Sequence, residues 1–96
     1  MQTFHTNQID ESEYGAGGYF DENSQHQYVL PRTDRFVDES RSLFVFGYAG
    51  ADGIEFVLKP GESAVYAYMP IDGESVMLAP DFETFMAGWI DGSITV

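Results

Sequence analysis

Carboxylates are the only plentiful reactive groups in this 96-residue chain, which has sixteen of them, two histidines and no cysteine. Two carboxylates facing one another about 5–10 Å apart can cleave a glycosidic bond. Sixteen acids offer many pairs, but no spacing singles one out, and solvated surface acids are the simpler reading. His5 and His26 lie far apart without ligand spacing, so neither a metal site nor a general base is expected of them. No serine sits in Gly-x-Ser-x-Gly, the strand-to-helix elbow of a hydrolase. The acids Asp10, Glu11 and Glu13 lack the twelve-residue register of a calcium loop. Neither glycine group (15, 17, 18 or 47, 50, 53) leads into the Lys-Ser/Thr of a phosphate loop, and the surrounding acids would repel phosphate. The sequence therefore predicts no catalytic residue, no metal and no cofactor.

Charge says more. The net charge is −12, and no lysine or arginine follows Lys59, although Glu62, Asp72, Glu74, Asp81, Glu83 and Asp91 do. Such a balance repels nucleic acid and anionic membranes and suits a basic protein partner. Without cysteine there are no disulfides, which points to the cytoplasm. The first ten residues lack the basic start and apolar run of a signal peptide. No stretch approaches the roughly 18–20 apolar residues that span a bilayer.

The elements that would carry these acids fall in two parts of one domain, 1–96. Residues 1–42 read as an irregular acidic segment around Gly15, Gly17 and Gly18, since glycine disfavours helix. Short strands are expected near Tyr19-Phe20 and over 27–30, closed by Pro31. Arg32, Arg35 and Arg41 stand beside Asp34, Asp38 and Glu39, a pattern of local ion pairs on a solvated turn or helix.

From residue 43 the pattern sharpens. The run 43–46 is rich in strand formers and ends at Gly47, and Asp52-Gly53 then signals a turn. Over 54–59, Ile54, Phe56 and Leu58 alternate with Glu55, Val57 and Lys59. Pro60-Gly61 turns the chain into 64–69, where Val65, Ala67 and Met69 oppose Tyr66 and Tyr68. Asp72-Gly73 leads to a strand over 75–79. Turns this tight admit no crossover helix, so the strands form an antiparallel meander. After Pro80 the period changes: Phe82, Phe85, Met86, Trp89 and Ile90 make a helical stripe, with Asp81 as N-cap and Gly92 as stop. The expected fold is α+β, an antiparallel β-meander of four or more strands packed against a C-terminal amphipathic helix.

Several of these residues resemble the SUKH superfamily, the Smi/Knr-like immunity-protein fold. Phe44-Val45-Phe46-Gly47, then Gly50 and Gly53, then Phe56-Val57-Leu58 is similar to its signature of a strand ending in Phe-Gly, a glycine-rich turn and an aromatic-bearing strand. Val65-Tyr66 and Ala79-Pro80-Asp81-Phe82-Glu83-Thr84-Phe85 resemble its later strand and final helix. Members usually open with one or two helices ahead of the glycine-rich part, so this chain would be a minimal or N-terminally shortened one. The resemblance implies a non-enzymatic protein, in bacteria an immunity protein that neutralises a toxin, in fungi a signalling scaffold.

The functional expectation is thus an acidic protein that neutralises a basic partner by covering it, most readily a SUKH-like immunity protein against a bacterial toxin. The alternative is a phage- or mobile-element-encoded inhibitor of host defence, of anti-CRISPR or anti-restriction type, acting as a nucleic-acid mimic on an effector. Glu55, Glu62, Asp72 and Glu74 are the expected steering charges, with Tyr48, Tyr66 and Tyr68 as aromatic anchors. For each tyrosine, packing within the sheet is the competing role. An enzyme and a self-associating structural subunit are the remaining classes, and the sequence leaves the oligomeric state open.

Overall fold

The computed structural model describes residues 3–96; Met1 and Gln2, the start of the segment read as irregular, lie outside them. Chain order is α1 (Asn7–Asp10), β1 (Tyr19–Asp21), β2 (His26–Val29), β3 (Phe36–Asp38), β4 (Leu43–Tyr48), β5 (Glu55–Leu58), β6 (Val65–Met69), β7 (Glu74–Ala79) and α2 (Phe82–Asp91). The strands make one antiparallel sheet in the order β1-β2-β4-β5-β6-β7, with β3 also paired to β4. Because β5 takes one side of β4, β2 and β3 share the other, meeting it at Gly47 and at Leu43 to Val45 respectively. The meander and its covering helix stand as the sequence predicts.

The Phe-Gly pair ending the signature strand has a physical job. The register shifts between Val45 and Gly47, so Phe46 is the extra residue of a β-bulge opposite Phe56. Phe46 is fully buried against Phe56, Phe82 and Phe85, with ring centres 5.6–6.2 Å away. Gly47 lies where β2 crosses close: a Cβ there would collide with the Tyr28 carbonyl oxygen and crowd the Phe56 ring. The next turn is as clear. Asp52 and Gly53 both take positive φ (55° and 69°), and Ile54 N–H bonds Ala51 O at 3.1 Å, a tight turn with two positive-φ central residues at the tip of the longer β4–β5 connection.

α2 closes one face of the sheet. Asp81 accepts from Thr84 N–H at 2.8 Å as N-cap, and Gly92 ends the helix in the left-handed region. Its aromatic stripe packs edge-on into the sheet, Phe85 on Phe56 at 4.8 Å and Trp89 on Phe56 at 5.0 Å. The N-terminal part completes this core with more order than the sequence suggests. Ile9 from α1 and Val29 from β2 are fully buried in it, and Tyr14, Tyr19 and Tyr28 form a ladder of rings leading to Trp89. The glycines that discouraged a structured reading allow close approach: a Cβ on Gly15 would strike the Asp10 carbonyl oxygen. Three short strands therefore form within 1–42, two of them where expected, while β3 was not signalled.

Of the arginines, Arg41 makes the local pair expected of it, with Asp38 three residues earlier, and Arg32 sits exposed on a short helical turn, whereas Arg35 departs from that expectation. Arg35 has a side chain 2% exposed and joins three separated segments, reaching Asp10 Oδ1 (3.3 Å), Tyr14 O (2.8 Å) and Leu30 O (3.0 Å). Burial pulls its pKa down, opposed by Asp10 and reinforced by Arg32. Tertiary demand for donors at chain crossings outweighs local charge proximity here. Replacing Gly47 by alanine should cost at least ~1–3 kcal/mol through overpacking against backbone that cannot rotate away. Gly17→Ala, with nothing near its Cβ position, is the control and should leave the urea midpoint within error.

Candidate binding surfaces

Alternation along β4, β5 and β6 leaves one sheet face without a helix. Leu43, Val45 and Val57 form a small buried cluster there, roofed by Tyr48, Tyr66 and Tyr68. Arg41 lies across it. Its Nε donates to Asp38 Oδ2 at 2.6 Å, its Nη1 to Glu55 Oε1 at 2.7 Å, and its guanidinium carbon sits 4.7 Å from the Tyr68 ring centre. Bonding to Glu55 and Asp38 raises its pKa further, and Ser40 and Arg41 donating to Asp38 hold that carboxyl below the usual range. Alongside, Lys59 Nζ stands 4.1 Å over the Tyr66 ring, whose hydroxyl donates to Glu62 at 2.5 Å. Opposite charges on this face answer one another, so it is patterned but close to balance.

A different surface carries unanswered charge. In an antiparallel sheet of this order the β1–β2, β4–β5 and β6–β7 turns share one end. Contacts agree: His26 Nε2 lies 3.1 Å from Tyr48 O, and a Cβ on Gly53 would sit 3.5 Å from Pro70. That end bears Asp21, Glu22, Asp52, Asp72 and Glu74, and among the described residues none of these is in an ion pair. Ser24 bonding to Asp21 lowers that carboxyl's pKa and keeps it ionised. Large apolar side chains stand among the acids, with Ile71 81% exposed and Phe20 nearly half exposed. All four cations join the chain at the other end, after β2 (Arg32, Arg35), before β4 (Arg41) and after β5 (Lys59).

The second cation-free area is a groove of about 630 Å³ between the segment following α1 and α2, where Glu11, Glu13, Asp81 and Glu83 stand over Phe82 and Met86. The acid surplus is therefore not confined to one side. Among the described residues, nine of the thirteen acids outside ion pairs fall in these two patches, with Asp34, Glu39, Glu62 and Asp91 outside both.

The sequence-derived residues sort accordingly. Tyr48, Tyr66, Tyr68, Glu55 and Glu62 gather on the open face, the tyrosines only partly exposed and the Glu55 side chain 12% exposed within the Arg41 clamp. Asp72 and Glu74 lie instead at the turn end, beside Asp21, Glu22 and Asp52, which sequence reasoning did not select. Only strand order makes these neighbours; an Asp or Glu within each hairpin turn was the available signal. His26 packs edge-on to Tyr28 at 4.5 Å. Among the described residues no three His, Asp or Glu side chains are arranged to hold a metal ion, and no helix is long and apolar enough to cross a membrane.

No protein-family model matches the chain, and neither a curated protein nor a solved structure matches it.

Three phenols report on these environments. The Tyr66 pKa is raised above 10.0 first by its bond to Glu62, those of Tyr14 and Tyr48 first by burial, with Glu13 and Glu55 adding to it. An unfolded phenol loses its proton near pH 10, before these folded ones do. Stability should therefore fall as pH rises above about 10. Ultraviolet titration should find this group ionising late, and Glu62→Gln should return one tyrosine toward its ordinary midpoint.

Proposed function

We propose that this protein is a non-enzymatic inhibitor that docks its acidic turn end on a basic surface of another protein and occludes it. One observation carries the reading: five carboxylates without ion-pair partners, interleaved with exposed Phe20 and Ile71, on hairpin turns braced by a rigid sheet. Charge that no internal cation answers raises the association rate with a cationic partner, and exposed apolar side chains supply anchors that exclude water. An ordinary interface takes about 800 Å² from each partner. That is roughly a seventh of this chain's 5411 Å² surface, so one end of the molecule suffices.

The open-face tyrosines then serve as packing first, since Arg41 and Lys59 already occupy the rings of Tyr68 and Tyr66. Glu55 likewise acts as a clamp rather than a steering charge, while Asp72 and Glu74 keep that role. The partner we infer is a bacterial toxin, in keeping with the SUKH-like Phe46-Gly47 strand and closing helix, which makes the protein an immunity protein of the cytoplasm.

A second reading draws support from the layout of the same acids. Three turns two strand spacings apart set five carboxylates along roughly 19 Å. One charge per about 5 Å approaches the 3.4 Å interval of phosphates along one DNA strand. An anti-defence inhibitor filling the DNA channel of a nuclease would use this row as a nucleic-acid mimic.

Affinity capture from the native host and its competitors, at low and high salt, separates these cases. A basic protein captured at 50 mM salt and released by 500 mM is expected. Neutralising the row (Asp21→Asn, Glu22→Gln, Asp52→Asn, Asp72→Asn, Glu74→Gln) should slow association at least about tenfold with the fold intact. A captured toxin that duplex DNA does not displace supports immunity; displacement by DNA supports mimicry. Capture indifferent to both salt and the five substitutions overturns the proposal.

A further inference from the structure

Sheet order leaves β7 as a terminal strand, paired with β6 alone. It is also a lightly guarded edge. An edge strand presents a row of free N–H and C=O groups, which proteins ordinarily protect by shortness, lysine, proline, a β-bulge or a covering element. β1, at the other end of the sheet, has three residues, as does β3. β7 has six, Glu74–Ala79, with no lysine and no proline among them. Its one guard is a bulge-like register shift at Leu78, near the end of the strand, which leaves Glu74–Met77 in regular register.

Both faces of this edge carry apolar surface. Val76 lies opposite Ala67 on the helix side and is 48% exposed; Met77 lies opposite Tyr66 on the open face and is 58% exposed. A strand added alongside would satisfy the outward backbone groups and cover both side chains.

Charge selects the occupant. Asp72 and Glu74 precede the exposed pair, Asp81 and Glu83 follow it, and no lysine or arginine occurs beyond Lys59. A second copy fits badly: antiparallel pairing centred on Val76 and Met77 brings the Asp72–Glu74 end of one copy against the Asp81 end of the other, between molecules of −12 charge. We propose that β7 receives an extended segment of the basic partner by strand addition, its lysines or arginines meeting the acids at both ends of the strand. This rests on the chain's being a binder of basic proteins and names how part of that partner is held.

The probe is a capped hexapeptide of alternating lysine and valine, with a glutamate–valine hexapeptide as the charge control. Amide exchange is followed by NMR on the full chain at low salt. Outward-facing amides of β7 should exchange at least tenfold more slowly with the lysine peptide and be unchanged with the other. Met77→Lys, which places a cation on the exposed flank, should weaken the lysine peptide at least tenfold while leaving the urea midpoint in place. If the lysine peptide instead perturbs the turn end or the groove and leaves β7 exchange unaltered, strand addition fails and the basic-partner reading survives. Binding nowhere defeats both. Equal protection by the two peptides, or protection that appears with protein concentration alone, also overturns the proposed occupant.

Discussion

Four cations must serve sixteen carboxylates, and the fold commits every one of them to contacts within the molecule. Arg35 ties α1 and the Tyr14 segment to the end of β2, and Arg32 joins the same Asp10. Arg41 locks the β3–β4 turn to β5, while Lys59 rests on Tyr66. Arg35 and Arg41 stand at sheltered crossings between chain segments, where a charged donor adds more than it would on an open surface, whereas Arg32 is mostly exposed. Among the described residues no ion pair reaches the acids of the turn end or the α2 groove; Arg41, the cation whose head lies beside the β4–β5 turn, is held by Glu55. The negative surface is thus a consequence of how the positive charges are spent, as much as of the number of acids.

Such a surface repels itself, and the aromatic core has to outweigh the repulsion. Phe46, Phe56, Phe82 and Phe85 are fully buried and interlock at ring distances of 4.8–6.3 Å. Alternation sets Phe44 and Phe46 on the helix side of β4, the bulge at Phe46 then turns Tyr48 to the open face, and Gly47 between them lets β2 close over the strand. Because this core lies on one side of the sheet only, the other face, the hairpin turns and the β7 edge are all left available for contact. Rigidity and availability come from the same asymmetry.

The second half of the chain was legible because its signals are local. Period-two alternation, Asp52-Gly53, Pro60-Gly61 and the Asp81 cap each act within a few residues, and each is found where the sequence places it. The first half was less so, since β3 and the burial of Ile9 and Arg35 exist only through distant partners. For the binding surface the reach of the sequence was shorter still. It offered residues by type, and the structure divides them: Glu55 and Glu62 face Arg41 and Tyr66, whereas Asp72 and Glu74 join Asp21, Glu22 and Asp52 across three turns. Neighbours of that kind are set by strand order, which no local pattern encodes.

If the surplus carboxylates truly lack internal partners, screening them must stabilise the fold. Thermal unfolding followed in sodium chloride from 20 to 500 mM is the most direct measurement, because the Debye length shrinks well below 10 Å across that range. The midpoint at pH 7 should climb with salt by several degrees, on a scale where 1 kcal/mol is worth about 4–8 °C. Near pH 4, with many acids neutral, the climb should fade. A midpoint that stays flat or drops with salt at pH 7 would mean that the acids are already answered within the molecule, and the account would be contradicted at its root.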